Sequence, residues 1–223
     1  ANVIELTGNH LLDYGEDAFQ EMMATLQDNG IDYYGGGINL DDARKPLSVN
    51  HHGNQFVFFG CNSPGPDNVF ATDEYGGANP CDVDALVEEV EQVLTEGQIP
   101  VVTFQHFEAC QIEPMSKQRI DMNRLAEAGA VIVSGSQAHC AQGITFVGDS
   151  FVHYGLGNLF FDQMWDYYRN AFLDYHVFYD GHYLGVQLLT TRLEDSSQPR
   201  PMTEVEREEF LELIFAESDW GME

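Results

Sequence analysis

Three short stretches of this chain gather the residue types that bind metal ions and move protons. Asn9, His10 and Asp13 follow the apolar run at 3–6. Gln105, His106 and Glu108 follow the run at 100–104, and Gln137 and His139 follow that at 130–133. Neutral imidazole supplies nitrogen, while amide and carboxylate oxygens complete a shell suited to a divalent cation such as Mn, Fe or Zn. A metal held in such a shell lowers the pKa of bound water and polarises a phosphoryl or carbonyl oxygen. One histidine at a strand end is more often a hydrogen-bonded structural residue. Three polar clusters after three apolar runs point instead to a site, because α/β sheets keep their ligands beyond the carboxyl ends of their strands.

The elements that must position these side chains alternate between strand and helix. The run at 130–133 is short, β-branched and bounded by glycines, as a buried strand requires. Gly148-Asp149 turns 144–147 back into 151–154. Phe19, Met22, Met23 and Leu26 recur at helical spacing and stop at Asn29-Gly30. Asp82 caps a helix carrying Leu86, Val87, Val90 and Leu94, and a further helix over about 116–128 presents Ile120 and Leu125. His51 and His52 fall at an exposed hairpin tip. Asp180-Gly181 is a type I′ turn joining strands at 172–179 and 183–190, and Thr203 with Glu206 reads as a capping box. Residues 1–195 are expected as one domain and 196–223 as a proline-containing linker with an acidic helix.

Composition narrows the partners. The 223 residues include 9 basic and 37 acidic side chains, a formal charge of −28. Such a surface repels phosphate backbones and anionic membranes, so nucleic acid is excluded. No apolar run approaches the ~20 residues needed to span a bilayer. Four cysteines, Cys61, Cys81, Cys110 and Cys140, include no CxxC pair, which argues against a zinc ribbon or a thioredoxin-like centre. Their even number suits an oxidising compartment, with Cys61–Cys81 closing the loop between them. Cys110–Cys140 forms if the two strand ends are adjacent, and four reduced buried thiols are the alternative.

The segment Thr7-Gly8-Asn9-His10-Leu11-Leu12-Asp13-Tyr14-Gly15, followed by a helix and by Ala43-Arg44-Lys45-Pro46-Leu47, resembles the bacterial capsule-synthesis, poly-gamma-glutamate synthesis (CapA-type) family. So do Gly135-Ser136-Gln137-Ala138-His139 and the stretch from Val152-His153-Tyr154 to Phe160-Phe161-Asp162. The resemblance spans residues 3 to 163. That family is similar to calcineurin-like metallophosphatases, which implies an α/β fold: a four-layer α/β/β/α sandwich of two sheets flanked by helices. It also implies Asn9, His10, His106 and His139 as metal ligands. Asp13, Gln105, Glu108, Gln137 and Asn158 would then be supporting or additional ligands, with His10 or His139 as general acid. Two departures stand out. Gln137 replaces the first histidine of the last motif, and the chain starts at the Asn-His strand without the aspartate-bearing strands that open such folds, as a fragment lacking its first strands would.

The expected function is that of a metal-dependent hydrolase-like protein, extracellular or at the cell envelope, acting through its metal on a phosphoester or an anionic gamma-glutamyl polymer. The competing expectation is a non-catalytic surface or assembly protein, self-assembly included, that keeps the fold. His153 is expected as a satisfied core histidine. Asn158 either faces the site or fixes its turn. Tyr154, Phe160, Phe161, Trp165, Tyr167 and Tyr168 are expected to pack the second sheet and its edge.

Overall fold

The computed structural model describes residues 2–218 and 220. They form two compact units, residues 1–106 and 107–223. Both mix α-helix with parallel and antiparallel strands, so the chain is α/β.

In the first unit β1 (Val3–Glu5) leads through a turn into α1 (Gly15–Asp28), which returns to β2 (Asp32–Tyr34) parallel to β1. Phe19, Met23 and Leu26 are buried against Leu6, because i, i+4 and i+7 share one face of a 3.6-residue helix. A two-residue strand β3 (Gly36–Gly37), a short helix α2 (Leu40–Ala43) and β4 (Leu47–His51) follow. The tip at His52, with φ 50°, turns β4 into the antiparallel β5 (Asn54–Asn62), and both tip histidines are exposed as expected. Next come β6 (Gly77–Ala78), which pairs with β3, and α3 (Val83–Thr95). The latter is capped by Asp82, whose carboxylate accepts from the Ala85 N–H at 3.1 Å. Finally β7 (Ile99–Gln105) lies parallel to β5, with Asn62 opposite Gln105. Cys61 and Cys81 are disulfide-bonded, their Cα atoms 4.9 Å apart. Closing that segment removes unfolded-chain entropy worth roughly 3 kcal/mol.

The second unit begins with α4 (Ser116–Glu127) and β8 (Ile132–Ser136). Leu125 is buried, but Ile120 is 59% exposed; Met122 takes the core position that Ile120 was expected to fill. The hairpin of β9 (Ile144–Val147) and β10 (Ser150–His153) forms as the Gly148-Asp149 signal requires, and β10 lies parallel to β8. Next, β11 (Asn170–Tyr179) and β12 (His182–Glu194) pair through Asp180 (φ 48°) and Gly181 (φ 79°), the two positive angles of a type I′ turn. His153 is wholly buried on β10 with its Nδ1 2.7 Å from Asp174 of β11, the core position expected, but it is satisfied on one side only: its Nε2 is buried with no hydrogen-bond partner among the described residues.

The expected linker contains a strand. Residues Gln198–Pro201 form β13, antiparallel to β12 and at the edge of the three-stranded sheet. Proline is tolerated there because an edge strand need not donate on its outer side. The terminal helix α5 (Glu204–Ala216) carries the expected capping box and packs Phe210 and Ile214 against Ala141 and Phe172.

Arg200 of β13 grips Glu206 with two 2.7 Å hydrogen bonds. These bonds, then the Thr203 backbone N–H, lower the Glu206 carboxyl to about 2. A depressed carboxyl stabilises the fold above the ordinary carboxylate range and loses that contribution as pH falls toward 2. Glu206→Gln should therefore lower stability by about 1 kcal/mol at neutral pH. Thermal unfolding of both proteins across pH should show the gap closing between about pH 4 and pH 2; a gap independent of pH would refute the assignment.

Candidate functional site

In the first unit, the loop after β1 is pinned from two sides. Asn62 Nδ2 donates to the Thr7 carbonyl at 2.8 Å, and the Asn9 N–H donates to Gln105 Oε1 at 3.1 Å. Gln105 is buried at the end of β7, so it fixes the backbone that carries the Asn-His pair. Its Nε2 is buried with no hydrogen-bond partner among the described residues. His10 and Asp13 meet across one turn at 2.8 Å, and both side chains face water, 72% and 54% exposed. His106 is fully buried with its ring on Phe104. Sequence reasoning missed Glu5, whose carboxyl accepts from Thr7 Oγ1. Desolvation raises its pKa against those hydrogen bonds, and the neighbouring Tyr34 hydroxyl is raised by the same burial and by Glu5.

In the second unit the geometry is tighter. At the end of β8 the backbone enters the left-handed region at Gln137 (φ 79°) and again at His139 (φ 61°). Residues with side chains rarely adopt it, and such outliers gather where a structure holds a group in one position. Gly135 makes the approach possible: a Cβ there would lie 1.9 Å from the Tyr154 carbonyl oxygen. Two buried amides hold the other side of the loop. Gln118 Nε2 donates to Gln142 Oε1 at 2.9 Å and to the Tyr154 carbonyl at 2.7 Å, while Gln142 donates to the Gln111 carbonyl. The Cys110–Cys140 disulfide, with Cα atoms 4.9 Å apart, joins this loop to the strand-end segment carrying Glu108. Linking cysteines 30 residues apart constrains the unfolded chain by roughly 3–4 kcal/mol.

The result is an oriented imidazole. His139 Nδ1 lies 3.0 Å from Asn158 Oδ1, and Asn158 Nδ2 donates to Gln163 Oε1 at 3.0 Å. The second bond fixes which end of the amide faces the ring. An amide oxygen only accepts, so Nδ1 is the donor in this contact, and in the neutral ring that leaves the lone pair on Nε2. Nε2 lies 3.8 Å from Glu108 Oε1, and the His139 side chain is 14% exposed. Asn158, buried at 8%, is thus the group that sets the tautomer. Gln163, its own support, carried no signal in the sequence.

The aromatic stretch departs from expectation. Tyr154 is buried, but Phe160, Trp165 and Tyr167 are 68%, 70% and 64% exposed. The segment between Asn158 and Asn170 runs over the surface and includes a one-turn 3₁₀ helix at Asp166–Arg169, whose Tyr167 faces outward. Phe161 and Tyr168 instead flank His139, with ring centroids at 4.9 and 6.3 Å.

Among the described residues, no three His, Cys, Asp or Glu side chains lie where they could hold a metal ion together. The donor chemistry nevertheless fits a metal at His139 Nε2, since the ring is oriented through its other nitrogen, as in metal-ligating histidines. Asparagine and glutamine oxygens could add only weaker ligation.

The second unit thus presents an oriented imidazole at the end of a strand of an α/β chain. The family model "Bacterial capsule synthesis protein PGA_cap" matches residues 1–163, and the chain belongs to that bacterial capsule-synthesis family. It is 24% identical over 206 residues to the "Capsule biosynthesis protein CapA" of Bacillus anthracis, covering 90% of this chain and 50% of that protein. It is 25% identical over 177 residues to the "PGA biosynthesis protein CapA" of Bacillus subtilis (strain 168), covering 78% and 47%. The chain therefore spans about half the length of these relatives.

If Asn158 sets the tautomer, ¹⁵N-imidazole spectra should show His139 protonated at Nδ1, and Asn158→Ala should convert it to a tautomer mixture. Unchanged ring-nitrogen shifts in the variant would refute the role.

Proposed function

We propose that this protein serves capsule or poly-gamma-glutamate biosynthesis as a metal-dependent, hydrolase-like protein of a four-layer metallophosphatase type. It would act outside the cell or at its envelope on a phosphoester or gamma-glutamyl polymer. The observation that carries the reading is the 3.0 Å approach of His139 Nδ1 to Asn158 Oδ1, which would hold Nδ1–H and leave Nε2 available. Asn9, His10 and His106 of the first unit, with Asp13 and Gln105 in support, and His139 of the second, with Glu108 and Gln137 in support, are the residues proposed to ligate divalent metal. When bound, the metal would supply an activated water and polarise the scissile bond. Whichever of His139 and His10 is not a ligand would, once protonated, give its proton to the leaving oxygen, and Glu108 would favour the protonated imidazole of His139 in that step. The paired disulfides suit the oxidising compartment this role requires, and no described helix is long and apolar enough to cross a membrane.

The rival reading is a non-catalytic surface or assembly protein. It draws support from Gln137, a weaker ligand than histidine, and from the lack of a three-residue His/Cys/Asp/Glu cluster among the described residues. Elemental analysis after purification, with hydrolysis of bis(p-nitrophenyl) phosphate in added Mn, Fe or Zn, separates the two. The hydrolase reading expects bound metal and a loss of about 10²–10⁴ in rate on His139→Ala. No bound metal and no change on His139→Ala would establish the rival.

A further inference from the structure

We propose that the groove between α2 and α3 of the first unit binds the pendant carboxylates of an amide-linked acidic chain of the gamma-glutamyl kind, with Arg44 as the receiving group. The ligand class rests on the proposed function; the site itself is new, and its lining includes none of the proposed metal ligands. A gamma-glutamyl polymer is a polyanion, and a chain of net charge −28 repels it, so recognition needs a place where that field is locally reversed. Cations that could do this are few, and most are engaged. Lys117, Arg169, Arg192 and Arg200 pair with carboxylates, Arg119 lies over the Tyr154 ring, and Arg207 donates to the Leu188 carbonyl. Arg44 and Lys45 are the one adjacent basic pair in the sequence. The Arg44 side chain is exposed and makes no hydrogen bond, ion pair or ring contact among the described residues.

The backbone that carries Arg44 is held firmly. Asn39 caps α2 by accepting from the Asp42 N–H at 2.9 Å, and Asp42 Oδ2 accepts from the Tyr33 hydroxyl and the Ile38 N–H, each at 3.2 Å. Lys45 reaches Asp42 Oδ1 at 3.3 Å, but its side chain is 70% exposed, so its other donors face water. The groove beside this pair measures about 310 Å³; Phe59, Pro46 and Val93 give it apolar lining, and Asp41 and Glu89 bring carboxylates. Desolvation raises the Glu89 carboxyl and the charge of Arg44 acts against that rise, so the two share the groove without forming an ion pair. This mixed lining decides the ligand. Polyphosphate has a denser charge and no donors, and it would meet Asp41 and Glu89; a cation would meet Arg44 and Lys45. A gamma-glutamyl unit answers each part. Its carboxylate accepts from the guanidinium fork, its amide N–H donates to a carboxylate, and its two methylenes cover the apolar lining.

The test is fluorescence anisotropy of a labelled gamma-glutamyl decamer titrated with the full chain, without added metal. Saturable binding is expected. Arg44→Ala should weaken it about tenfold, the worth of one charge-assisted contact. Arg207→Gln, which removes a positive charge from α5, should bind as the unaltered chain does. Unlabelled gamma-glutamyl decamer should compete better than an alpha-glutamyl decamer, whose carboxylates hang further from the amides, and better than polyphosphate of equal charge. No binding, unchanged affinity in Arg44→Ala, or an equal loss in Arg207→Gln would overturn the proposal, as would equal competition by the alpha-linked chain or by polyphosphate. Because the measurement needs neither metal nor turnover, a protein that hydrolyses without binding here fails only this inference, and an inactive protein that binds fails only the hydrolase reading.

Discussion

The loop that carries His139 depends on two side-chain-bearing residues held in the left-handed backbone region. Each such residue costs of order 1–3 kcal/mol unless its surroundings over-determine it. Here they do, through covalent and buried polar links. The Cys110–Cys140 bond fixes one flank, the Gln118–Gln142 amide pair fixes the other, and the glycine at 135 admits the loop against the Tyr154 carbonyl. Buried amides are demanding choices for this work, since each unpaired polar atom in the interior costs about 1–3 kcal/mol. Gln118 and Gln142 satisfy each other and two main-chain carbonyls, so the network adds rigidity without leaving those bonds unmade.

Charge separates the surface from this apparatus. With 37 acidic residues the chain keeps most of its carboxylates in water, and those it withdraws are matched individually. Asp174 is paired with His153 inside the second unit, and Glu206 is paired with Arg200 at the base of the last helix. Glu5 is the exception, a desolvated carboxyl whose partners are hydroxyls, and its pKa rises accordingly. The surface charge thus governs which partners can approach, while a few local pairings govern the fold.

What was legible in the sequence was local. The Phe19–Met23–Leu26 spacing, the Asp82 cap, the Asp180-Gly181 turn and the Thr203–Glu206 capping box all act over a few residues, and each forms as read. Both cysteine pairs form as well: Cys61–Cys81 closes its loop as expected, and Cys110–Cys140 forms because its two segments do lie side by side, the condition set for it. The errors came where the outcome depends on distant neighbours. The prolines at 199 and 201 look like linker until β12 offers an edge that tolerates them. Phe160 and Trp165 look like packing for the second sheet and its edge until the segment between Asn158 and Asn170 places them outside. In the candidate site the positions of His139 and Asn158 were legible, but their hydrogen bond, across 19 residues, was not.

Gln137 shows how the two kinds of information differ. As a residue type it argues against ligation, because an amide oxygen binds a divalent ion less well than imidazole does. As a backbone position it argues the reverse, since it keeps a strained φ of 79° just before the similarly strained His139. A loop selected only to connect β8 with β9 would relax at these positions, given glycine, which adopts positive φ without penalty. Retaining side chains there is consistent with a conformation maintained for where it places His139. The side chain at 137 can then be an amide in place of an imidazole while the backbone still sets the position of His139.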